Sequence, residues 1–486
     1  MSNKTNDIIE RLKKDTNNDS EIVYRKKIVN KQTIYIIYNE PLTSSDKISD
    51  FIIRSLDSID YRYENNKNLY DIIVNDINNF KVIEINTYKD ICYYLNYGFT
   101  IILFENNKYL ALETKQNLAR SITEPSTETT LRGSMDSFVE ELKLNIGLVK
   151  KRIKDVNLWN ISNDVGKYTK TKTTIMYING ICKKELVEKV DKLIKNIEID
   201  GITSSGNIKN LIEKENKNVF PTILTTQRPD KVAKALLKGK IVVLVDGDPY
   251  ALILPATLND YFMSAEDSSG KSINVTFTRI IRYICFFISL LTPALYIAIT
   301  TYNQELLPTN LLISFASQRE SVPFPAFFEA FIMIVSFEIL RESDLRIPSF
   351  SSSALSIVGA LILGEAAVNA GIVSPIMIIV ISITAISALP FPEPELINGL
   401  RWYRLFFMLG ATFLGIIGVV LTFIFFLLNI SNLESFGVPY LTPFAPTYKN
   451  GLKNTFIKFP TKKLNKRDKY LSNNITKEEQ WKKYYY

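Results

Sequence analysis

The chain has 486 residues, no histidine, three cysteines and a net charge of +8 at pH 7. Without histidine it lacks the commonest general base and metal ligand and any Ser-His-Asp triad, and the widely spaced Cys92, Cys182 and Cys285 form no zinc motif or disulfide framework. We therefore expect no histidine- or cysteine-based site, no bound cofactor or metal and no catalytic residue.

The first 30 residues are polar and rich in asparagine and lysine. Segments this poor in apolar side chains do not bury enough surface to order themselves, so we predict a flexible lead-in over 1–30. They also hold no apolar run of the kind found in a cleavable signal peptide. We therefore expect the soluble half that follows to stay on the cytoplasmic side of the membrane.

Two small mixed α/β subdomains are predicted after the lead-in. The first, 31–118, begins with a β-branched and aromatic strand at 33–38. Its other predicted elements are a helix through 48–56, strands around 80–85, 99–105 and 108–113, and a helix at 87–95. A connector over 119–134 then leads to the second subdomain, 135–278.

The second subdomain is predicted from periodicity and one turn signal. Its expected elements are a helix at about 135–155, a strand at 171–177, a helix at 184–197 and a helix that begins at Pro229. Asp246-Gly247 lies between two apolar runs, 241–245 and 250–254, and this arrangement predicts a β-hairpin.

Long apolar runs with few charges occupy the region 279–446. A membrane-spanning helix needs about 20 mostly apolar residues, so we predict segments at about 283–302, 324–340, 354–369, 371–389 and 405–430. As one helix, 354–389 would be about 54 Å long, and we place a break at Asn369-Ala370-Gly371. The predicted fold class is a multidomain α/β soluble region followed by an α-helical polytopic membrane domain.

The number of segments conflicts with the charges that flank them. Arg279 and Arg282 favour an inside position for the soluble half. The C-terminal tail, 447–486, is also basic, which favours a place beside anionic lipid head groups on the same side. Five crossings would put the tail outside. We therefore expect an even number, with one run re-entrant or a further segment, 303–323 or 436–446, in the membrane.

Acidic side chains inside the apolar runs need partners or water, because a charge at membrane depth costs about 2.5–3.5 kcal/mol on insertion scales. Glu338 and Glu342 share one helix face and Arg341 lies between them. The candidates for an intramembrane or interfacial polar cluster are Glu329, Glu338, Arg341 and Glu342.

Glu365 lies well inside its apolar run and is surrounded by small residues. It shares a helix face with Asn369, one turn further on. This face could line a polar pathway or bond to a neighbouring helix, and the residues alone leave both readings open.

Several recognisable short motifs follow one another along the chain: Ser121-Ile122-Thr123-Glu124-Pro125-Ser126-Thr127-Glu128, Leu131-Arg132-Gly133, Tyr177-Ile178-Asn179-Gly180, Gln227-Arg228-Pro229-Asp230, Val322-Pro323-Phe324-Pro325, Leu340-Arg341-Glu342 and Phe436-Gly437-Val438-Pro439-Tyr440. From about 31 to 460 the sequence resembles the A subunit of spore germinant receptors, the GerA family. That family's connector usually reads Arg-Gly-Pro. Here Ser134 replaces the proline, and we expect a local loosening of the turn.

The resemblance implies a place in the inner membrane of bacterial endospores, in a complex with a transporter-like B subunit and a lipoprotein C subunit. Such complexes sense small nutrients and start germination with release of ions, and the A subunit has been proposed to form a ring-shaped ion channel. The implied partners are therefore these subunits, further copies of the chain and membrane lipids, and not nucleic acid. On this reading the pore-lining residues are Val358, Leu361, Glu365, Val368 and Asn369. The residues of the interdomain connector are Glu124, Pro125, Glu128, Arg132 and Gly133.

The sequence is also compatible with other functions. A close paralogue, the membrane protein associated with the dipicolinate-release channel of spores, shares the fold and most of the motifs. A non-conducting membrane scaffold would have the same composition. The missing histidine and cofactor motifs disfavour a membrane-bound enzyme.

Overall fold

The computed structural model describes residues 3–29, 32–62, 69–76, 81–105, 107–117, 128, 133–213, 219–344, 364–452, 454–459 and 466–472. Two α/β subdomains are followed by a helical domain. This arrangement confirms the fold class that the sequence predicts.

The first subdomain is built on one antiparallel sheet. Its strands are β1 (Ile22–Val29), β2 (Gln32–Asn39), β3 (Val82–Ile85), β4 (Phe99–Phe104) and β5 (Tyr109–Glu113), in the spatial order β1-β2-β4-β5-β3. Its helices are α1 (Asn3–Asp15), α2 (Arg54–Arg62), α3 (Leu69–Asp76) and α4 (Tyr88–Asn96), with short helical turns at Glu40–Leu42, Ser45–Lys47 and Ile48–Ile53. The central strand β4 is buried throughout because helices cover both faces of the sheet.

Residues 3–29 of the lead-in predicted to be flexible over 1–30 are instead part of this subdomain. Helix α1 buries Ile9 and Leu12 against the sheet. Strand β1 pairs with β2 along its whole length, from Ile22 opposite Asn39 to Val29 opposite Gln32. The basic residues inside β1 hid it from the sequence analysis, but charged side chains are ordinary on an edge strand.

The second subdomain repeats the topology of the first. Its strands are β6 (Leu158–Val165), β7 (Thr171–Ile178), β8 (Leu224–Thr226), β9 (Ile241–Val245) and β10 (Ala251–Leu254), in the antiparallel order β6-β7-β9-β10-β8. Its helices are α5 (Leu142–Arg152), α6 (Lys184–Lys195), α7 (Ser205–Ile212) and α8 (Pro229–Leu237). Among these main elements, both subdomains run helix, two strands, two helices, strand, helix, two strands. The soluble half therefore contains the same fold twice.

The predicted β-hairpin at Asp246-Gly247 is present in this second sheet. Val243 pairs with Leu252, and Gly247 has the positive φ of +80° that such a turn requires. The predicted helix at 135–155 is shorter than expected. It begins only at Leu142, because the preceding residues are extended and the side chain of Asn145 bonds both the N–H and the carbonyl of Val139.

The two subdomains meet through a buried ion pair. Lys150 on α5 donates to Asp19 at 2.7 Å and to Asn39 at 3.3 Å, and both charged side chains are almost fully buried. The indole of Trp159 adds a hydrogen bond to the carbonyl of Asp15 at 3.0 Å. The end of α1 and the start of β1 are thus fixed to the second subdomain.

The helical domain follows after short helical turns at Leu258–Tyr261 and Ala265–Ser268. Its helices are α9 (Ser272–Thr301), α10 (Thr309–Arg319), α11 (Ala326–Asp344), α12 (Pro375–Ile386) and α13 (Pro394–Ser431), with further short elements at Gln304–Leu306, 364–369, β11 (Glu434–Ser435), β12 (Val438–Pro439) and Lys449–Leu452. By length and hydropathy α9 and α13 are the two described helices that could each cross a membrane. The chain turns at Gly371, with φ +65°, where the sequence places a break.

Helix α13 is a helical hairpin and not one straight rod. Gly415 has φ 58° and ψ −138°, which lie outside the helical range. Aromatic rings pair on either side of it, with the ring centroids of Tyr403 and Phe426 4.9 Å apart and those of Phe407 and Phe423 6.3 Å apart. The two arms, 394–414 and 416–431, therefore run antiparallel. A single segment over 405–430 is a wrong prediction, because that run contains the turn of the hairpin.

The tip of the hairpin lies at the end of α9. The hydroxyl of Tyr302 donates to the carbonyl of Thr412 at 2.7 Å, and the N–H of Ile416 donates to Asn303 at 3.4 Å. As one straight helix, α13 would be about 57 Å long. Its two arms are about 31 Å and about 24 Å long. These lengths suit a hydrocarbon core of about 30 Å.

The second arm returns the chain to the soluble half. Ser435 donates to the carbonyl of Thr222 at 2.7 Å, and Ser472 of the tail forms a β-bridge with Cys182. Residues 466–472 of the tail thus pack on the second subdomain, whereas Asn454 and Lys458 bond to the first half of α9. The soluble half and the described residues of this tail lie at the same end of the helical domain.

Candidate functional site

The connector between the two soluble subdomains is anchored by one buried arginine. Arg228, 1% exposed, donates to the carbonyl of Glu128 at 3.0 Å and to the carbonyl of Ser134 at 2.8 Å. Asp230 holds the same guanidinium from the first turn of α8, at 3.1 Å. Both described ends of this stretch are therefore fixed to the N-terminus of α8.

Three charged side chains join the connector, α8 and the hairpin, and we name Glu128, Lys231 and Glu393 the junction triad. The ammonium of Lys231 lies 3.0 Å from Glu128 and also forms an ion pair with Glu393, the residue just before α13. The second carboxylate oxygen of Glu128 accepts from Thr226 at 2.5 Å. One lysine of the second subdomain thus holds the connector and the base of the hairpin together.

Burial makes the charge of the junction triad sensitive to pH. It raises the pKa of the Glu393 carboxyl to about 7, while the Lys231 ammonium opposes this rise and the Glu128 carboxylate adds to it. Burial also disfavours the charge on Lys231, but the two carboxylates outweigh it and hold the pKa of Lys231 above its ordinary value. The lysine therefore stays charged at neutral pH, where Glu393 titrates.

A second ion pair supports the same joint. Lys209 on α7 pairs with Glu395 in the first turn of α13, and Thr225 on β8 donates to this carboxylate at 3.2 Å. The rings of Phe220 and Tyr403 stack beneath it with centroids 5.3 Å apart. The apolar core of the second subdomain continues without a gap into the helical domain. Polar and apolar contacts together make these two parts one body.

Glu329 lies at the opposite end of the helical domain and is fully buried. One of its oxygens accepts from the N–H and the hydroxyl of Ser374, at 3.0 and 2.8 Å, and the other lies 3.4 Å from Arg319. Ser374 immediately precedes α12, so the carboxylate caps the positive end of that helix.

Glu338 and Arg341 form an ion-pair cluster nearer the soluble half. Glu338 lies 3.1 Å from Arg341 and 3.2 Å from Arg401, and Glu342 is exposed one turn after Glu338. The structure does not bring Glu329 into this group. Nine residues separate it from Glu338, which is about 13.5 Å along a helix.

Several residues of the predicted pore line a large cavity. Glu365, Val368 and Asn369 face a cavity of about 1170 Å³ between α11, α12 and the first arm of the hairpin, and Glu365 and Asn369 are exposed in the single chain. The pore candidates Val358 and Leu361 lie outside the described residues. So do three connector residues, Glu124, Pro125 and Arg132, whereas Gly133 is exposed with φ +145°.

Comparison with known proteins identifies the family. Residues 10–470 match the family described as Bacillus/Clostridium GerA spore germination protein. The chain belongs to the GerA family.

Relatives within the family cover almost the whole chain. Spore germination protein KA of Bacillus subtilis is 38% identical over 456 residues, which are 93% of this chain and 84% of that protein. The uncharacterized membrane protein YfkQ of the same organism is 36% identical over 91% of this chain and 86% of its own. Spore germination protein B1 is 36% identical over 90% of each chain.

One similar solved structure covers the soluble half. The crystal structure of the N-terminal domain of the A subunit of the Bacillus megaterium spore germinant receptor GerK3 is 32% identical. It covers 51% of this chain and 94% of that domain, with a TM-score of 0.41.

Two of the motifs that carry the GerA resemblance meet at the junction. The motif that contains Glu128 and the motif Gln227-Arg228-Pro229-Asp230 are in contact through the Arg228 bonds. Sequence reasoning missed Lys231 and Glu393. Lys231 lies two residues after Pro229 and Glu393 lies between Pro392 and Pro394, and only the tertiary fold makes these two charged residues partners.

Proposed function

We propose that this chain is the A subunit of a nutrient-sensing spore germinant receptor and that several copies form an ion path through the inner membrane of the spore. The family match over residues 10–470 carries the assignment. Relatives named spore germination proteins support it over nine tenths of the chain. A transporter-like B subunit and a lipoprotein C subunit are the proposed partners.

The proposed membrane location rests on the helical domain. Helix α9 and the hairpin α13 are apolar enough to cross a bilayer, and many large apolar side chains of both are exposed in the single chain. Lipid or a neighbouring subunit would cover them. The soluble half and the tail would then both face the spore core.

Glu365 supports an ion path shared between subunits. Its carboxylate follows an apolar run and is exposed in the single chain. At membrane depth such a group needs water or a partner, and both would be supplied by a polar channel between neighbouring copies. Val368 and Asn369 belong to the same face of the cavity.

The junction triad supports a route from the soluble half to this path. Glu128 belongs to the connector, and Glu393 leads directly into the hairpin. A movement of the first subdomain would pull on the connector and, through Lys231, on the first arm.

Ion release from spores tests the proposed path. The full chain carrying Glu365→Ala, produced with its B and C partners in spores that lack the wild-type chain, should change nutrient-triggered ion release at normal protein level. Glu320→Ala, at an exposed acid just after α10, is the matched control. Normal release from the Glu365→Ala spores contradicts the pore assignment, and absence of conductance from the assembled oligomer in a bilayer favours a scaffold.

A further inference from the structure

Two arginines pair with one glutamate, and a third arginine lies nearby, where α11 passes the first arm of the hairpin. Glu338 pairs with Arg341 at 3.1 Å and with Arg401 at 3.2 Å. Arg404 follows Arg401 within one helical turn and lines the same cavity as Glu338 and Arg341. We name these four residues the arginine cluster. It carries three positive charges against one negative charge.

Arg404 is held in place by a backbone carbonyl of α9 that lacks its usual helical partner. Pro293 inside α9 has no N–H, so the carbonyl of Ser289 has no partner four residues ahead. The Nε of Arg404 donates to this carbonyl at 2.8 Å. This bond fixes the guanidinium, and Arg404 is only 6% exposed.

The two terminal amino groups of Arg404 make no hydrogen bond within the part of the chain that the structure describes. These groups border the cavity, so an acceptor placed there would satisfy them. Counting Glu365, which lines the same cavity, three arginines stand against two carboxylates, and this remaining positive charge favours an anion as that acceptor.

The rest of the cavity wall is mostly apolar. Among the residues that line it are Met333, Ile334, Phe337, Ile378, Ile381 and Phe391. Its volume of about 1170 Å³ exceeds the roughly 300–1,000 Å³ that holds a drug-sized ligand. A cationic rim beside a large apolar space suits a molecule with an anionic head and a hydrocarbon tail.

We propose that the arginine cluster binds the phosphate of an anionic phospholipid, with an acyl chain in the apolar part of the cavity. Guanidinium groups bind phosphate through paired hydrogen bonds, and basic pockets between membrane helices on the cytoplasmic side bind such head groups. Arg401 and Arg404 lie about 10 and about 15 Å along the first arm from Pro394, within the half of the arm that is nearer the soluble half. The lipid therefore belongs to the leaflet that faces the soluble half.

Native mass spectrometry of the full chain tests this site. The chain is reconstituted in nanodiscs of phosphatidylcholine with phosphatidylglycerol and then extracted in detergent, and bound lipids are counted. We expect retained phosphatidylglycerol, with about fivefold weaker retention in Arg341→Gln and in Arg401→Gln. Arg319→Gln is the matched control, because Arg319 also pairs with a glutamate but does not line the cavity. Equal retention in all three variants overturns the proposal.

Three further measurements keep the result interpretable. Arg404→Lys preserves a donor for Ser289, and we expect weaker lipid retention at an unchanged size-exclusion profile. Stabilisation in detergent by inorganic phosphate as large as that by phosphatidylglycerol would assign the cluster to free phosphate and overturn the lipid. With a photoactivatable acyl chain, cross-links should map to 333–341 and 375–386. Cross-links confined to the exposed face of the second arm would overturn the site.

Discussion

Lys231 joins three separate parts of the chain through one ammonium group. Its partners come from the connector and from the residue just before the hairpin, and Glu393 itself is only 4% exposed. A buried carboxylate that loses its counter-charge is strongly destabilising, because desolvation is then no longer compensated. Lys231 is therefore a polar contact on which the fixing of the connector to the base of the hairpin depends.

Lys231→Met should therefore destabilise the chain by about 3–5 kcal/mol, measured as a lower Tm of the full chain in detergent. The double variant Lys231→Met/Glu393→Gln should recover much of the loss, since one stranded charge is removed. Lys234→Met is the matched control on the same helix, because Lys234 is 42% exposed in its pair with Asp230 and such pairs contribute little. Equal losses at the two lysines would contradict the junction triad.

The pH dependence of stability follows from Glu393. In the unfolded chain the carboxyl of Glu393 loses its proton near the ordinary pKa of 4.5. In the folded chain its pKa is about 7. The folded chain therefore binds more protons between these values, and its stability falls as pH rises through that window. Glu393→Gln removes this contribution. The Tm of the variant should fall less between pH 5 and pH 7 than that of the wild type, and identical slopes would refute the shift.

Only part of this residue-level picture could be predicted from the sequence. Glu338 and Arg341 are three residues apart on one helix, so their pairing could be predicted from helical spacing. Arg404 could not, because its partner Ser289 is 115 positions away and is made available by a proline in another helix. Contacts of this range depend on packing that no local pattern encodes.

At the scale of elements, the hairpin depends on glycine. Gly410 and Gly418 face each other across the two arms so closely that a Cβ on either would overlap the other arm. Small residues allow this approach of helices, and Gly415 supplies the positive φ at the tip. The three glycines were visible in the sequence, but the apolar run around them has the length of one ordinary span, which concealed the turn.

Gly418→Val should separate the arms and destabilise the helical domain by at least about 1–3 kcal/mol. The measurement is the amount of folded protein in the membrane fraction, together with its Tm. Gly364→Ala is the matched control, because a Cβ there would meet Ile378 at an ordinary 3.8 Å. Normal yield and Tm for Gly418→Val would mean that the arms are not packed as described.

The strands with alternating or continuous apolar runs were predictable, whereas β1 and α1 were not. Their segment is rich in lysine and asparagine, and their few apolar residues become a buried face only against β2 and the rest of the sheet. The repeated topology of the two subdomains was also hidden, because their sequences share no evident pattern. Tertiary context overrides local composition in both cases.

At the scale of the whole molecule, the two soluble subdomains differ in how they are attached to the rest of the chain. The second subdomain shares one continuous apolar core with the helical domain. The first subdomain has its own cores on the two faces of its sheet and is linked through polar contacts such as Lys150 with Asp19. We therefore expect the first subdomain to move relative to the rest, with the connector and the junction triad transmitting that movement.

The hairpin also accounts for the direction of the chain. Its second arm brings the chain back to the soluble half, where Ser435 and Ser472 bind the second subdomain. This common end agrees with an even number of crossings, which the flanking charges favour and which stays a prediction; the apolar run 405–430 contains two helical arms.

Nutrient-triggered ion release from spores that carry a charge exchange at the junction tests the central claim most directly. Lys231→Glu and Glu393→Lys should each suppress release at normal protein level, because each leaves like charges together. The exchange Lys231→Glu/Glu393→Lys restores an opposite-charge pair and should recover a substantial part of the release. Full release from both single variants, or an exchange no better than either one, would contradict transmission through the junction.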